Sequence, residues 1–466
     1  MLIFSTIRIE HRTSAPKCCS ASVDGYRPRA HDIVVLHLEG RVLLFRRLRD
    51  RVIATAMTQY ALHGAKAFVP EGETAPNERT ATPTVDFRRF TLREFFLMKI
   101  AQIAPLAESC PPRRYGGTER IVSYLTEELV AQGHEVTLFA SGDSKTHAAL
   151  VRCSNTALRL SPAVKDQLPY HMIMLDEVRR RANEFDVLHF HTEPCWHFPL
   201  VRDFAHRTVT TLHGRLDLPD LKPFYSAFPD VPLVSISNRQ RRPLPPHINW
   251  AGNVPHGLPR DLLPFSPDPK GGYLAFLGRI SPEKRPDRAI DIALRAGMPL
   301  KIAAKIDRVD QAYWAEAIAP KVAAHESVEF VGEINEHRKA DFLGNARALL
   351  FPIDWPEPFG LVMIEAMACG TPIIAFRSGS TPEVIDDSVS GFVVDSVDQA
   401  VDAVLQAKTL SRAGIRANFE RRFTAERMAR DYLAIYRGLP GVCTKAAWLP
   451  RIVAGSDLDL QAVGLR

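Results

Sequence analysis

The chain has 466 residues, 46% hydrophobic and 24% charged, with a net charge of +6, the proportions of an ordinary globular protein of two or three domains. No apolar run approaches the roughly 20 residues of a membrane-spanning helix, and "MLIFSTIRIEHRTS" carries Glu and Arg where a secretory leader needs an apolar core. The basic excess sits in residues 1–97, with 15 Lys+Arg against 10 Asp+Glu; the remainder nets +1, which argues against a nucleic-acid partner.

In chain order, residues 1–97 differ from the rest of the chain. Thirteen of their basic residues are Arg, "DIVVLHLEGRVLLF" at 32–45 suggests a short hairpin, and "PEGETAPNERTATPT" at 70–84 reads as a polar linker. At Met98 the character changes to an apolar strand, "MKIAQIAPL". That switch suggests that translation begins at Met98 and that 1–97 is an artefact of gene assignment. The rival reading is a basic, partly ordered arm. Ten acidic residues are too many for a targeting peptide.

From Met98 strands and helices alternate. Strand-like runs are Lys99–Ala104, Glu135–Ala140, Asp186–Phe190, Thr208–Leu212 and Leu233–Ile236. Between the first two, Ile121, Val122, Leu125 and Leu129 recur at helical spacing and Gly133 provides a stop. This is the pattern of a doubly wound parallel sheet, assigned to 98–262. A Pro- and Gly-rich linker over 256–272 leads into a second series within 263–422. Its strands are Tyr273–Leu277, Leu300–Ala304, Val328–Val331, Ala348–Pro352 and Pro372–Phe376, with helices such as Asp287–Ala296 and His337–Gly344. A late helix within 423–438 places Met428, Tyr432, Ile435 and Tyr436 on one face, and 439–466 form a tail. The fold class is α/β: two tandem Rossmann-like, doubly wound domains with a cleft between them. Seven scattered cysteines without a CxxC suggest free thiols in a reducing compartment, read as the cytoplasm with membrane association left open.

The stretch "EPFGLVMIEAMACGTP", 357–372, is almost wholly apolar from Leu361 to Cys369 except for Glu365, and Glu357 stands just before it. Buried carboxylates need charged or hydrogen-bonding partners. The first turn of a helix offers unpaired N–H groups and a positive dipole end, and Gly360 lets a ligand come close. Glu365 lies about 7.5 Å further along the axis at 1.5 Å per residue. That separation suits a nucleotide lying over the helix start: phosphates at the N–H groups, ribose on Glu365, and Glu357 reaching what is attached beyond the phosphates. "LGRISPEKRP", 277–286, puts Arg279 and Lys284 on a loop at the carboxyl end of the second domain's first strand, where an Arg fork and a Lys point charge complement a diphosphate. "PPRRYGGTER", 111–120, places Gly116-Gly117 before the first helix. Taken alone, each of these loops also fits an ordinary charged or Gly-Gly connection. His189, His191 and His213 fall at strand ends, lining a polar cleft more readily than a metal site, for which further ligands are not evident. His213 is a candidate for a sugar hydroxyl or for acid/base work.

Together these residues resemble the retaining glycosyltransferases of family four, the group 1 glycosyl transferases with the GT-B fold, over roughly Met98 to Gly438. The Glu–X7–Glu pair Glu357 and Glu365 carries most of the resemblance. "FLGRISPEK", the Gly-Gly loop and "TLHG" follow in the right order. The resemblance implies that Arg279 and Lys284 bind the donor's diphosphate and that Glu365 holds the ribose. It places Glu357 on the transferred sugar beside the N–H groups of Phe359, Gly360 and Leu361. His213 would face the sugar, and Gly116 and Gly117 would pass near the phosphates and acceptor. His256 in "NVPHG" departs from the family's usual Asn-Gly turn, so that loop is assigned no role.

The implied reaction moves a sugar from a nucleotide sugar to a sugar, polysaccharide or lipid-linked acceptor with retention. No cofactor or metal is needed, and the base is left open between uridine, guanosine and another. Arg179–Arg181 and the basic run at 238–246 are candidate faces for a phosphorylated or membrane-borne acceptor, or simply solvated charge. A GT-B nucleotide-sugar epimerase and a non-catalytic nucleotide-sugar binder are the alternatives. Mass spectrometry of the native protein tests the start at Met98: no peptide upstream of it is expected, and upstream peptides would refute the assignment.

Overall fold

The computed structural model describes residues 9–10, 33–38, 41–46, 97–113 and 116–442. The linker at 70–84 and the tail beyond Val442 lie outside them. Within Met1–Phe95, a unit of its own, the short hairpin is present. Strands β2 (Ile33–Leu38) and β3 (Arg41–Arg46) pair antiparallel, and β1 (Ile9–Glu10) pairs with β2.

The second unit holds two parallel sheets. The first has seven strands: β4 (Lys99–Ile103), β5 (Glu135–Ser141), β6 (Ala149–Ser154), β7 (Val187–Phe190), β8 (Thr208–Thr211), β9 (Leu233–Ser235) and β10 (Trp250–Asn253), ordered β10-β9-β8-β7-β4-β5-β6. The other has six: β11 (Leu274–Arg279), β12 (Leu300–Lys305), β13 (Val328–Gly332), β14 (Ala348–Phe351), β15 (Ile373–Phe376) and β16 (Gly391–Val394), ordered β13-β12-β11-β14-β15-β16. In both, strand order reverses beside the first strand, at β4/β7 and at β11/β14. The crevice at the carboxyl ends of such a reversal is where open α/β sheets take ligands.

Central strands are buried on both faces and therefore read as continuous apolar runs, as in Ala348–Phe351 and Ile373–Phe376. Three helices position the site. The first, α1 (Gly117–Ala131), turns Ile121, Val122, Leu125 and Leu129 into the first sheet's core and ends before Gly133, whose φ is +90°. The next, α2 (Leu361–Cys369), connects β14 to β15. The ten strands expected from sequence are all present, with ends shifted by a residue or two. One shift matters: Arg279 is the last residue of β11, paired with Lys305, not part of the loop. Lys284 closes a single 3₁₀ turn, Pro282–Lys284.

The last helix, α3 (Ala425–Gly438), packs Met428, Tyr432, Leu433 and Tyr436 among Ile100, Val187, Val209 and Val234 of the first sheet's core. Burial of Met428 and Leu433 contributes about 1.5–3 kcal/mol each. The two sheets are therefore joined by the linker and clamped by a returning helix, and their carboxyl edges face one cleft. Among the described residues no helix is long and apolar enough to cross a membrane. Cys110, Cys153, Cys195 and Cys369 are unpaired thiols.

Candidate active site

Glu365 lies on α2, with Glu357 just ahead of it in the connecting segment. Leu, Met, Ala and Glu favour this helix intrinsically, and Ile364, Met367 and Ala368 bury it in the second domain. Leu361 packs against both domains' cores. Gly360 enters with φ +80°, and a Cβ there would lie 2.8 Å from Met363 Cε and 3.0 Å from Phe351 Cζ. Both the angle and the space require glycine.

The segment before this helix is turned inside out by its carbonyl partners. Ser378 Oγ donates to Trp355 O at 2.6 Å, Ser380 N to Glu357 O at 2.9 Å, and Ser380 Oγ to Phe359 O at 2.8 Å. Ser237 Oγ of the first domain donates to Pro358 O at 2.7 Å. Gly379 lies so close beneath that a Cβ there would be 2.2 Å from Glu357 O. The carbonyls are thus drawn to one side. Among the described residues, the N–H groups of Phe359, Gly360 and Leu361 find no acceptor. A set of unpaired donors at a helix start is an anion site in waiting.

Both glutamates are buried, and both are braced in the same way. Glu357 Oε2 accepts from Lys284 Nζ and from Trp355 Nε1, the latter at 3.0 Å. Glu365 Oε1 accepts from Lys339 Nζ at 2.9 Å and pairs with Arg120 Nη1 at 2.6 Å. In each case the donors share one oxygen, and the other has no partner among the described residues. Burial alone would raise the Glu365 pKa, but the charges of Lys339 and Arg120 outweigh it and hold the carboxyl at about 2. Lys284 also sits 4.8 Å over the Trp355 ring. Arg279, expected to meet a diphosphate, is surrounded by acids: Glu283 at 2.6 Å, Asp310 at 3.6 Å and Asp307 at 3.7 Å. A phosphate reaching Arg279 must compete with Glu283.

Across the cleft, α1 begins beside α2: a Cβ on Gly117 would be 3.7 Å from Leu361 Cδ1. Gly116 is hemmed in by Pro112, 2.9 Å from where its Cβ would be. Arg114 and Tyr115 of the same loop lie outside the described residues. Asn238 and Arg239 donate their backbone N–H groups to Glu383 of the second domain at 2.8 and 2.6 Å.

The histidines differ from expectation. His189 and His191 do not line the cleft; they are buried beneath it. His189 Nδ1 lies 2.6 Å from Tyr436 Oη, and His189 Nε2 lies 2.8 Å from Thr211 Oγ1, which is 2.9 Å from Tyr432 Oη. His191 bridges Gln102 Oε1 (2.8 Å) and His213 Nε2 (2.9 Å). Hydrogen bonds therefore run from the returning helix to His213, which stacks on His256, which in turn contacts Phe359 with ring centroids 4.9 Å apart. His213 Nδ1 is buried and has no partner among the described residues. Glu193 accepts the N–H groups of His213 and Gly214 at 3.0 and 2.8 Å and fixes the loop after β8. Among the described residues no group of His, Cys, Asp and Glu is arranged to hold a metal ion.

Arg120, Lys339, Trp355 and His256 belong to this site and were not singled out by sequence reasoning. Trp355 sits two residues before Glu357, and His256 was passed over as an irregular turn. Arg120 and Lys339 had no local signal.

Comparison with known proteins gives the family and the fold. Residues 264–422 match the model of glycosyl transferases group 1, and residues 115–251 that of glycosyltransferase family 4. The chain belongs to the group 1, family 4 glycosyltransferases. It is 24% identical to a D-inositol 3-phosphate glycosyltransferase of Acidothermus cellulolyticus, over 70% of this chain and 85% of that one. It is also 24% identical to the phosphatidyl-myo-inositol mannosyltransferase of Mycobacterium leprae, over 73% and 96%. Its fold matches a glycosyltransferase involved in avilamycin A biosynthesis (TM-score 0.56, 22% identity, 74% and 98% coverage). It matches as well the Anabaena protein HepE in complex with UDP and glucose (TM-score 0.56, 16% identity, 73% and 100% coverage). The two facing parallel sheets are the GT-B fold, and the chain is a glycosyltransferase.

The buried histidines of this glycosyltransferase give a testable pH dependence. Burial holds His197 and His213 at about 3 and pushes His189, His191 and His256 well below 6.5. These groups stay neutral when folded, whereas the unfolded chain protonates them near pH 6.5. Stability is therefore present above pH 6.5 and lost as pH falls toward 3. Thermal melts from pH 7.5 to 5 should show the midpoint dropping steeply below about 6.5; a flat midpoint would contradict the buried, neutral network.

Proposed function

We propose that this glycosyltransferase moves a sugar from a nucleoside diphosphate sugar to a hydroxyl acceptor, with retention at the anomeric carbon and without a metal. The observation that carries the reading is the start of α2. Its N–H groups point away from the carbonyls that Ser378, Ser380 and Ser237 draw aside, and a braced carboxylate stands on either side. The diphosphate would lie at Phe359–Leu361 with Lys284 beside it, and Gly116 and Gly117 would border it from the first domain. Glu365 would take the ribose and Glu357 the sugar. His213 would face the sugar; its Nδ1 is buried and has no partner among the described residues.

In the reaction the bond from the anomeric carbon to the diphosphate oxygen breaks and a bond to the acceptor oxygen forms. The acceptor's proton passes to the departing diphosphate. The transition state is oxocarbenium-like, as in glycoside hydrolysis. Negative charge grows on the diphosphate, so Lys284, the helix start and Arg279 stabilise the transition state more than the ground state. Arg279 is assigned a supporting place, because it must be shared with Glu283. Glu357 is held on one oxygen by Lys284 and Trp355, which blunts it as a nucleophile and favours attack and departure on the same face. Domain closure excludes water from the donor. UDP is the first donor base to test, since HepE is known with UDP and glucose. The acceptor is a sugar, a polysaccharide or a lipid-linked polyol, the last suggested by the inositol-containing names of the relatives.

A panel of sugar nucleotides, incubated with the protein in EDTA, tests the reading. One donor is expected to turn over, and Lys284→Ala and Glu357→Ala should each cut transfer by about 100-fold with the melting transition still cooperative. Unchanged transfer in both variants would refute the site, and loss of activity in EDTA would refute metal independence.

A further inference from the structure

The charged quartet around Glu365 contains a residue from the other domain. Arg120, on α1 of the first domain, sends Nη1 to Glu365 Oε1 at 2.6 Å and Nη2 to Glu336 Oε1 at 2.9 Å. Its Nε lies 3.3 Å from Tyr124 Oη. Lys339 of the second domain contacts the same two glutamates, at 2.9 and 3.1 Å. Three of the four are largely buried: the side chains of Arg120, Lys339 and Glu365 are 11%, 14% and 3% exposed, whereas Glu336 is 34% exposed.

Two cations and two carboxylates cancel, and a neutral, mostly buried quartet is weak evidence of added stability, because desolvation offsets attraction. Lys339 is shared between Glu365 and Glu336 and cannot neutralise both alone. The second cation has to cross the cleft to arrive, and it lands on Oε1, which Lys339 already holds. With two donors on Oε1 the carboxylate plane is fixed. Oε2 is then the oxygen left to accept hydroxyls.

We propose that Arg120 is a positioning residue for donor binding: it fixes the Glu365 carboxylate from across the cleft so that Oε2 meets the ribose hydroxyls of a nucleoside diphosphate. The proposal rests on the reading of Glu365 as the ribose partner. It adds that the ribose subsite is complete only while α1 of the first domain lies against α2, so nucleotide recognition and domain approach are coupled. The ionised state of Glu365 fits this, since the same two cations hold its carboxyl at about 2.

The test is calorimetric titration of the full chain with UDP, GDP and ADP, each against its 2′-deoxy counterpart. The ratio of the two affinities is read, not the affinity alone. The wild-type chain is expected to prefer the ribose form by about tenfold for the base it accepts, the size of a hydrogen bond to a charged group. Glu365→Gln should shrink that ratio, Arg120→Gln should bring it within about twofold, and Arg120→Lys should restore part of it. If Arg120→Gln weakens both nucleotides equally and leaves the ratio intact, Arg120 is an interdomain clip and the proposal is overturned. If Arg120→Gln does not fold, Arg120→Lys and Glu336→Gln decide by the same ratio, an unchanged ratio in both overturning the proposal. If the wild-type chain shows no preference, or binds none of the three nucleotides, the donor reading of Glu365 itself fails, and this inference with it.

Discussion

Two buried carboxylates at one helix start constrain the whole arrangement. Glu357 and Glu365 flank the first turn of α2, and each is held by two donors on a single oxygen. A buried carboxylate without partners would be expelled or protonated. Here Lys284 and Trp355 meet one and Lys339 and Arg120 meet the other. The fold has to bring four donors from four places in the chain to this turn. It does so by opposing the carboxyl edges of two parallel sheets at their points of strand-order reversal. Lys284 follows β11, Glu357 follows β14, and Arg120 arrives on the helix that follows β4.

The supporting structure serves the same turn. Ser378, Gly379 and Ser380 form a floor that admits no larger residue at Gly379 and takes up the carbonyls, while the N–H groups of Phe359, Gly360 and Leu361 have no acceptor among the described residues. The returning helix does more than fill the first domain's core. Its Tyr432 and Tyr436 end the hydrogen-bonded series through His189, Gln102 and His191 that places His213. A long-range contact between the last helix and the first strand thus reaches the cleft. Since Tyr432, Tyr436, His189, Gln102 and His191 are all buried, their order depends on complete hydrogen bonding, and a single missing hydroxyl would leave a polar group unsatisfied.

Much of this was legible in the sequence, for physical reasons that differ by element. Strands buried on both faces appear as apolar runs, so Ala348–Phe351 and Ile373–Phe376 were plain. Three strands went unread: Ala149–Ser154, Trp250–Asn253 and Gly391–Val394. All three are edge strands with partly exposed residues. Glu357 and Glu365 were legible because an acid in an apolar helix demands an explanation. Their partners were not equally so. Lys284 stood in a recognisable loop, but Arg120 lies 245 residues from Glu365 and looks like any charged residue of an amphipathic helix. His189 and His191 were placed in the cleft because strand-end polarity usually means a cleft. The sequence has no sign of the two tyrosines, nearly 250 residues later, that bury them.

The central claim is that the start of α2 is a nucleotide site read from both ends by carboxylates. A crystal structure of the chain soaked with UDP tests it most directly. Diphosphate oxygens are expected within hydrogen-bonding distance of the Phe359–Leu361 N–H groups and Lys284, with the ribose hydroxyls on Glu365. A nucleotide seated elsewhere, or one whose ribose points away from Glu365, would contradict it.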